Sequence, residues 1–126
     1  MAMNIEEFRE YCIQKPGVTE EFPFDEETLV FKVMGKMFAL TNLVGDWNLA
    51  LKCDPEWAIE LREQFPAIRP GYHMNKVHWN TVAMDGSLSQ NLILELIDHS
   101  YQLVVAKLPV KLKGELDQLS GSQPKD

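Results

Sequence analysis

Between Gln64 and Met84 the chain carries no acidic residue, yet this window holds Arg69, Tyr72, His73, Asn75, Lys76, His78, Trp79 and Asn80. Guanidinium forks and ammonium groups suit phosphate oxygens, and the faces of Tyr and Trp suit stacking on bases. An Asn amide offers a paired donor and acceptor to a base edge. As residue types these are the parts of a small nucleic-acid or phosphate site. A plainer reading places Trp79 and Tyr72 in the core and leaves the cations as surface residues.

Other chemistries are less well supplied. His73 and His78 lie five apart, which puts them on opposite faces of a single strand, and no HExxH pattern or paired cysteines accompany them. No metal site is expected. There is no GxSxG elbow, no GxGxxG, and Met34-Gly35-Lys36 lacks the upstream glycine of a phosphate-binding loop. The expectation is a non-enzymatic protein without a cofactor. A pocket using His73, His78 and Trp79 is the remaining route to acid–base work or small-ligand binding.

These residues sit in a chain of 126 amino acids and 14.5 kDa, the size of one domain. Hydrophobic residues make up 45% and charged residues 25%, a balance suited to a globular core. The net charge of -7 argues against a protein that coats nucleic acid or anionic membrane through bulk charge. Much of it lies in residues 1–27, where eight acids face Arg9 and Lys15. The charge is therefore uneven along the chain. Two cysteines, Cys12 and Cys53, lie in no metal-like spacing and read as reduced, buried thiols. No secretory h-region follows Met1 and no apolar run approaches a membrane span, so a cytoplasmic location is expected.

The elements that must position the window follow from periodicity. Asn4 and Glu7 form a capping box for a helix to about Gln14, with Ile5, Phe8 and Cys12 on one face. Val18–Phe24 reads as an edge strand because of Pro23. Thr28–Met34 alternates, and Gly35-Lys36 suits a two-residue turn that sets Val33 opposite Phe38 and Phe31 opposite Leu40. Trp47, Leu49, Leu51 and Cys53 continue that face on the next strand. The opposite face would carry Val30, Lys32, Ala39, Ala50 and Lys52, with Lys36 at the hairpin tip. Asp54-Pro55 starts a second helix with Ala58, Leu61 and Phe65 inward. Residues 66–71 read as a loop, Tyr72–Met74 as a short strand and His78–Ala83 as a firmer one. Ser87 or Ser89 caps a third helix to about Lys107. Residues 110–126 turn polar and read as a partly ordered tail after a domain of residues 1–109, with Leu112, Leu116 and Leu119 available for docking.

Several stretches, taken together, carry a family resemblance. They are Pro16-Gly17-Val18-Thr19-Glu20-Glu21-Phe22-Pro23-Phe24, Lys52-Cys53-Asp54-Pro55, Arg69-Pro70-Gly71-Tyr72-His73-Met74-Asn75-Lys76, and His78-Trp79-Asn80-Thr81-Val82. Asp98-His99-Ser100-Tyr101 and Lys107-Leu108-Pro109 complete the set. In this order they resemble the MmcQ/YjbR family from about residue 4 to 110, with a shorter loop at Leu43–Asp46. The resemblance implies an α+β fold similar to type III secretion chaperones, an antiparallel sheet with helices on one side, in the order α-β-β-β-β-α-β-β-α. It also implies DNA binding through β-hairpins arranged as a double wing. Its motif falls on Arg69, Tyr72, His73, Asn75, Lys76, His78, Trp79 and Asn80, with Lys32 and Lys36 as a wing. The implied roles are phosphate contact for Arg69, Lys76 and Lys36, stacking for Tyr72 or Trp79, and hydrogen bonding for His73, Asn75, His78 and Asn80.

The expected function is weak, salt-sensitive DNA binding without catalysis. Two alternatives stay open, an acidic chaperone-like module for a protein partner and a small-ligand-binding domain. No membrane partner is expected.

Overall fold

The computed structural model describes residues 3–71 and 74–121. Six antiparallel strands form one open sheet: β1 Val18–Glu21, β2 Thr28–Val33, β3 Lys36–Asn42, β4 Asn48–Lys52, β5 Ile68–Pro70 and β6 Trp79–Ala83. Their order across the sheet is β1-β2-β3-β4-β6-β5. Four helices accompany them: α1 Ile5–Ile13, α2 Pro55–Gln64, α3 Gln90–Ala106 and α4 Val110–Gly121. The fold is α+β.

The helices start where local chemistry says they should. Asn4 and Glu7 exchange capping bonds of 2.8 and 2.9 Å, Asp54 accepts from the Trp57 amide, and Ser89 accepts from the Leu92 amide. Each helix turns its apolar stripe to the same side of the sheet. Phe8 and Cys12 of α1, Ala58 and Leu61 of α2, and Ile93, Leu96, Ile97 and Val104 of α3 are buried there with Leu29, Phe31, Val33, Leu49, Leu51 and Val82. Edge-to-face pairs of Phe8 with Phe31 at 5.5 Å and Phe38 with Tyr101 at 5.4 Å lock α1 and α3 to the sheet.

The first hairpin differs from its expected register. Its loop is Met34-Gly35, with φ of 49° and 85°, so both central residues are left-handed as a type I′ turn requires. Val33 therefore pairs with Lys36. A bulge follows, because Phe31 pairs with Ala39 while Lys32 pairs with Met37, leaving Phe38 as the extra residue. Past the bulge the faces exchange. Ala39 and Thr41 join the helix side, and Leu40 pairs with Val30 on the opposite side. The expected pairs Val33–Phe38 and Phe31–Leu40 do not form, and Ala39 does not lie on the outer face.

Two further expectations change. A short strand at Ile68–Pro70, within the stretch read as a loop, pairs with β6, and of the strand expected at Tyr72–Met74 the first two residues lie outside the described residues. The stretch read as a polar tail is helical through Gly121, and Leu116 is buried at 4% exposure. Cys12 and Cys53 are buried free thiols.

Candidate nucleic-acid interface and the open sheet face

The side of the sheet away from the helices has its own small apolar cluster. Val30, Leu40 and Trp79 are buried in it, with Met37, Ala50 and Met74 packed around them. Trp79 is 7% exposed, which removes its ring as a stacking platform and corrects that expected role. Asn80 alternates to the helix side and is 2% exposed; its Oδ1 accepts from Arg62 Nε at 2.7 Å. It is held inward rather than offered to a base.

The segment leading into β6 is a tied loop. Asn75 Oδ1 accepts from the Val77 amide at 2.9 Å, and the Asn75 carbonyl accepts from the Trp79 amide at 2.9 Å. Arg62, reaching from α2, donates to the Lys76 carbonyl at 2.6 Å. Lys76 is exposed, and its ammonium touches the Gly71 carbonyl at 3.2 Å. His78 is half-buried. His73, like Tyr72, lies outside the described residues, so the hydrogen-bonding and stacking roles expected of the pair find no placement.

Gly71 shows why this loop needs its sequence. Its amide donates to the Trp79 carbonyl at 2.8 Å. A Cβ there would fall 2.9 Å from Trp79 Cβ and 3.0 Å from the Trp79 carbonyl oxygen. Only glycine permits that approach.

The cations separate in space in a way the linear sequence hides. One end of the sheet gathers the Met34-Gly35 turn, the end of β4 and the loop entering β6, bringing together Lys36, Lys52 and Lys76. Arg69 on the edge strand flanks them, opposite Thr81 and exposed. From β3 to β5 the span is three strand spacings, about 14 Å. Three ion pairs form among the described residues: Arg9–Glu20, Lys15–Asp98 and Lys32–Glu21. Lys32 is thereby drawn to a carboxylate at 3.2 Å and contributes less free charge than expected of a wing. Lys36, Lys52, Lys76 and Arg69 are in none of these pairs. Burial lowers the pKa of Lys52, and the nearby Lys107 charge lowers it further, so two ammonium groups crowd one another there. Two acids near this end are engaged, since Asp54 caps α2 and Asp98 holds Lys15, while Glu56 in the first turn of α2 is exposed and in none of these pairs. The opposite end carries Asp25, Glu26 and Glu27 between β1 and β2, Asp46 between β3 and β4, and Asp85 after β6.

Other residues of the shared stretches prove to be internal ties that spacing alone did not assign. Tyr11 Oη donates to Asp98 at 2.8 Å, and the Lys15 ammonium sits 4.5 Å from the Tyr11 ring and 5.3 Å from that of Tyr101. Hydrogen bonding to Asp98 and, above all, burial push the Tyr11 hydroxyl up to about 12. Tyr101 Oη donates to the Pro16 carbonyl at 2.6 Å. His99 Nε2 accepts from the Asp54 amide at 3.0 Å, with Trp57 edge-on at 4.6 Å. Ser100, fully buried, accepts from the Lys52 amide and donates to the Phe38 carbonyl at the bulge. The signal for Ser100 was a polar residue in an apolar stripe.

Among the described residues no three of His, Cys, Asp and Glu cluster to hold a metal, and no helix is long and apolar enough to cross a membrane.

An open six-stranded antiparallel sheet, helices on one face and a small apolar cluster with a basic end on the other, defines an α+β module with one sheet face free of helices. The chain belongs to the YjbR family, whose model matches residues 13–103. It is 40% identical to the uncharacterized protein YjbR of Escherichia coli K12 over 118 residues, 93% of this chain and all of that one. The crystal structure of Deinococcus radiodurans protein DR2400, of the DUF419 domain family, superposes with a TM-score of 0.85 at 45% identity, covering 90% of this chain and 88% of that one. A Pseudomonas syringae protein superposes with a TM-score of 0.70 at 33% identity, covering 80% and 98%.

Proposed function

We propose that this protein is a non-enzymatic module that contacts the phosphate backbone of nucleic acid through its basic end, weakly and with little regard to sequence. The observation that carries the reading is the gathering of Lys36, Lys52, Lys76 and Arg69 at one end of the sheet, outside the ion pairs, while Asp25, Glu26, Glu27, Asp46 and Asp85 lie at the other. With Trp79 buried and Asn80 turned inward, base recognition has little to work with among the described residues. Buried thiols suit a reducing, cytoplasmic setting for such a module.

Three of these four cations neutralising phosphates, with Arg69 at the flank left out, give a log–log salt slope of about -2.7, so affinity falls about 40-fold between about 50 and 200 mM salt. The dissociation constant belongs on the order of 10⁻⁴–10⁻⁶ M or weaker. Fluorescence anisotropy with labelled duplex and single-stranded oligonucleotides measures both quantities. Lys36→Ala, Lys52→Ala and Lys76→Ala should each flatten the slope by about 0.9, and Lys32→Ala, whose ammonium already meets Glu21, should do less. Absence of wild-type binding at low salt, or variants binding as well as wild type, overturns the reading.

A further inference from the structure

Beside the small apolar cluster, the open face of the sheet sinks into a cavity of 640 Å³. That size suits a drug-sized molecule. Leu40 and Ala50 form its floor, and Phe24 and Met74 stand at its sides. Phe24 is 63% exposed, a large aromatic ring held at the rim with little protein over it.

The polar groups at the rim are biased in one direction. The Asn42 side-chain amide uses its donors on the Val44 and Asp46 carbonyls, and the Asn48 side-chain amide donates to the Asp46 carbonyl. Asn48 Oδ1 meets no donor among the described residues. The Thr28 hydroxyl faces Asp25 Oδ2 at 3.4 Å. Asp25 itself accepts from the Glu27 and Thr28 amides at 2.9 and 2.8 Å, and these bonds hold its carboxyl below the usual range, so it stays charged. Glu26 and Glu27 follow it, both exposed, and among the described residues no Lys or Arg lines the cavity. Among the described residues the two Asn side-chain amides spend donors on backbone carbonyls, Asn48 Oδ1 is left over, and the local charge is negative.

We infer that this cavity is a binding site for a small organic cation, an aromatic or flat apolar body carrying a protonated amine. The ring would lie on Leu40 and Ala50 between Phe24 and Met74, and the ammonium would donate to Asp25 and Asn48 at the rim. The site is separate from the basic end: an anion is repelled here and a cation there, so the two activities can fail independently.

A matched set of 2-naphthylmethylamine, 2-naphthylmethanol and 2-naphthoate tests the inference with one ring and three charges. Amide and methyl chemical-shift mapping on the full chain reads both site and affinity. The amine should move the signals of Thr28, Leu40, Ala50 and Thr81, binding at least tenfold tighter than the alcohol, while the carboxylate leaves those signals still. Asp25→Asn should bring the amine to within about threefold of the alcohol. Because Asp25 also orders its own turn, Ala50→Phe serves as the second variant, filling the floor and abolishing binding of amine and alcohol alike. Equal binding of all three probes, shifts confined to other surfaces, or full amine binding by Ala50→Phe overturns the inference.

Discussion

Ser100→Ala should be the most costly small substitution in α3, and the reason lies in the bulge of β3. The Ser100 hydroxyl accepts from the Lys52 amide at 2.9 Å and donates to the Phe38 carbonyl at 2.5 Å, in a position with no solvent exposure. Ladder pairing between β3 and β4 runs from Ala39–Leu51 to Thr41–Leu49 and does not reach Phe38 or Lys52. Alanine removes one hydroxyl and leaves two backbone groups without their partner. Each buried unsatisfied group costs about 1–3 kcal/mol, so after some relaxation the loss should be about 2–4 kcal/mol. A chain of 126 residues loses about 4 °C of midpoint per kcal/mol, which gives a fall of about 8–16 °C. Calorimetry and urea unfolding measure it, and the m-value should stay constant if only the native state is affected. Hydrogen exchange should show the Lys52 amide losing protection ahead of its neighbours. A fall below about 2 °C, or an equal one for the exposed Ser87→Ala, refutes the claim that Ser100 supports the bulge.

Two glycines should respond differently to alanine. Gly71→Ala meets the Trp79 backbone oxygen and should cost about 1–3 kcal/mol by overpacking, whereas Gly35→Ala meets nothing within 4 Å and should cost only the left-handed strain of about 1–2 kcal/mol. Urea unfolding compares them, and only the first should also disturb the Met74 and Trp79 signals. Burial pushes Cys12 up to about 12 and Cys53 up to about 11, so neither thiol should react with an aromatic disulfide reagent at about pH 8 until the chain is unfolded. Burial lowers His99 from its ordinary value of 6.5, so its contribution is present above that pH and lost as pH falls through the lower folded value. His99→Gln, which keeps an acceptor for Asp54, should flatten the stability curve below pH 6.5; a curve that keeps its slope would place the titration elsewhere.

Local chemistry was legible before any fold was known. The capping box at Asn4 and Glu7 and the Asp54-Pro55 start are short-range hydrogen-bond patterns that form as written, and of the two serines offered for the third helix Ser89 is the cap. The stripes of α1, α2 and α3 follow because burial enforces the helical period. The first hairpin was misread for an equally physical reason. A turn displaced by one residue and a compensating bulge leave Phe31, Val33 and Phe38 inward, so the apolar pattern cannot distinguish the two registers. The strand at Ile68–Pro70 was hidden by Pro66 and Pro70, which suit an edge but read as a loop.

The basic window was visible as composition, but its members have different fates. Trp79 and Asn80 are buried by neighbours distant in sequence, and Asn75 shapes its own loop. Lys36 and Lys52 approach Lys76 only because β3, β4 and β6 are adjacent strands.

What the sequence determined by itself was the family, the α+β class, the boundaries of the first three helices and the uneven charge along the chain, since each rests on residue identity and near neighbours. Only the tertiary structure decided which cations share an end, which polar side chains face inward, and that Leu40 turns outward to floor a cavity. Those outcomes depend on strand order and on one bulged residue, and neither is written in any single segment.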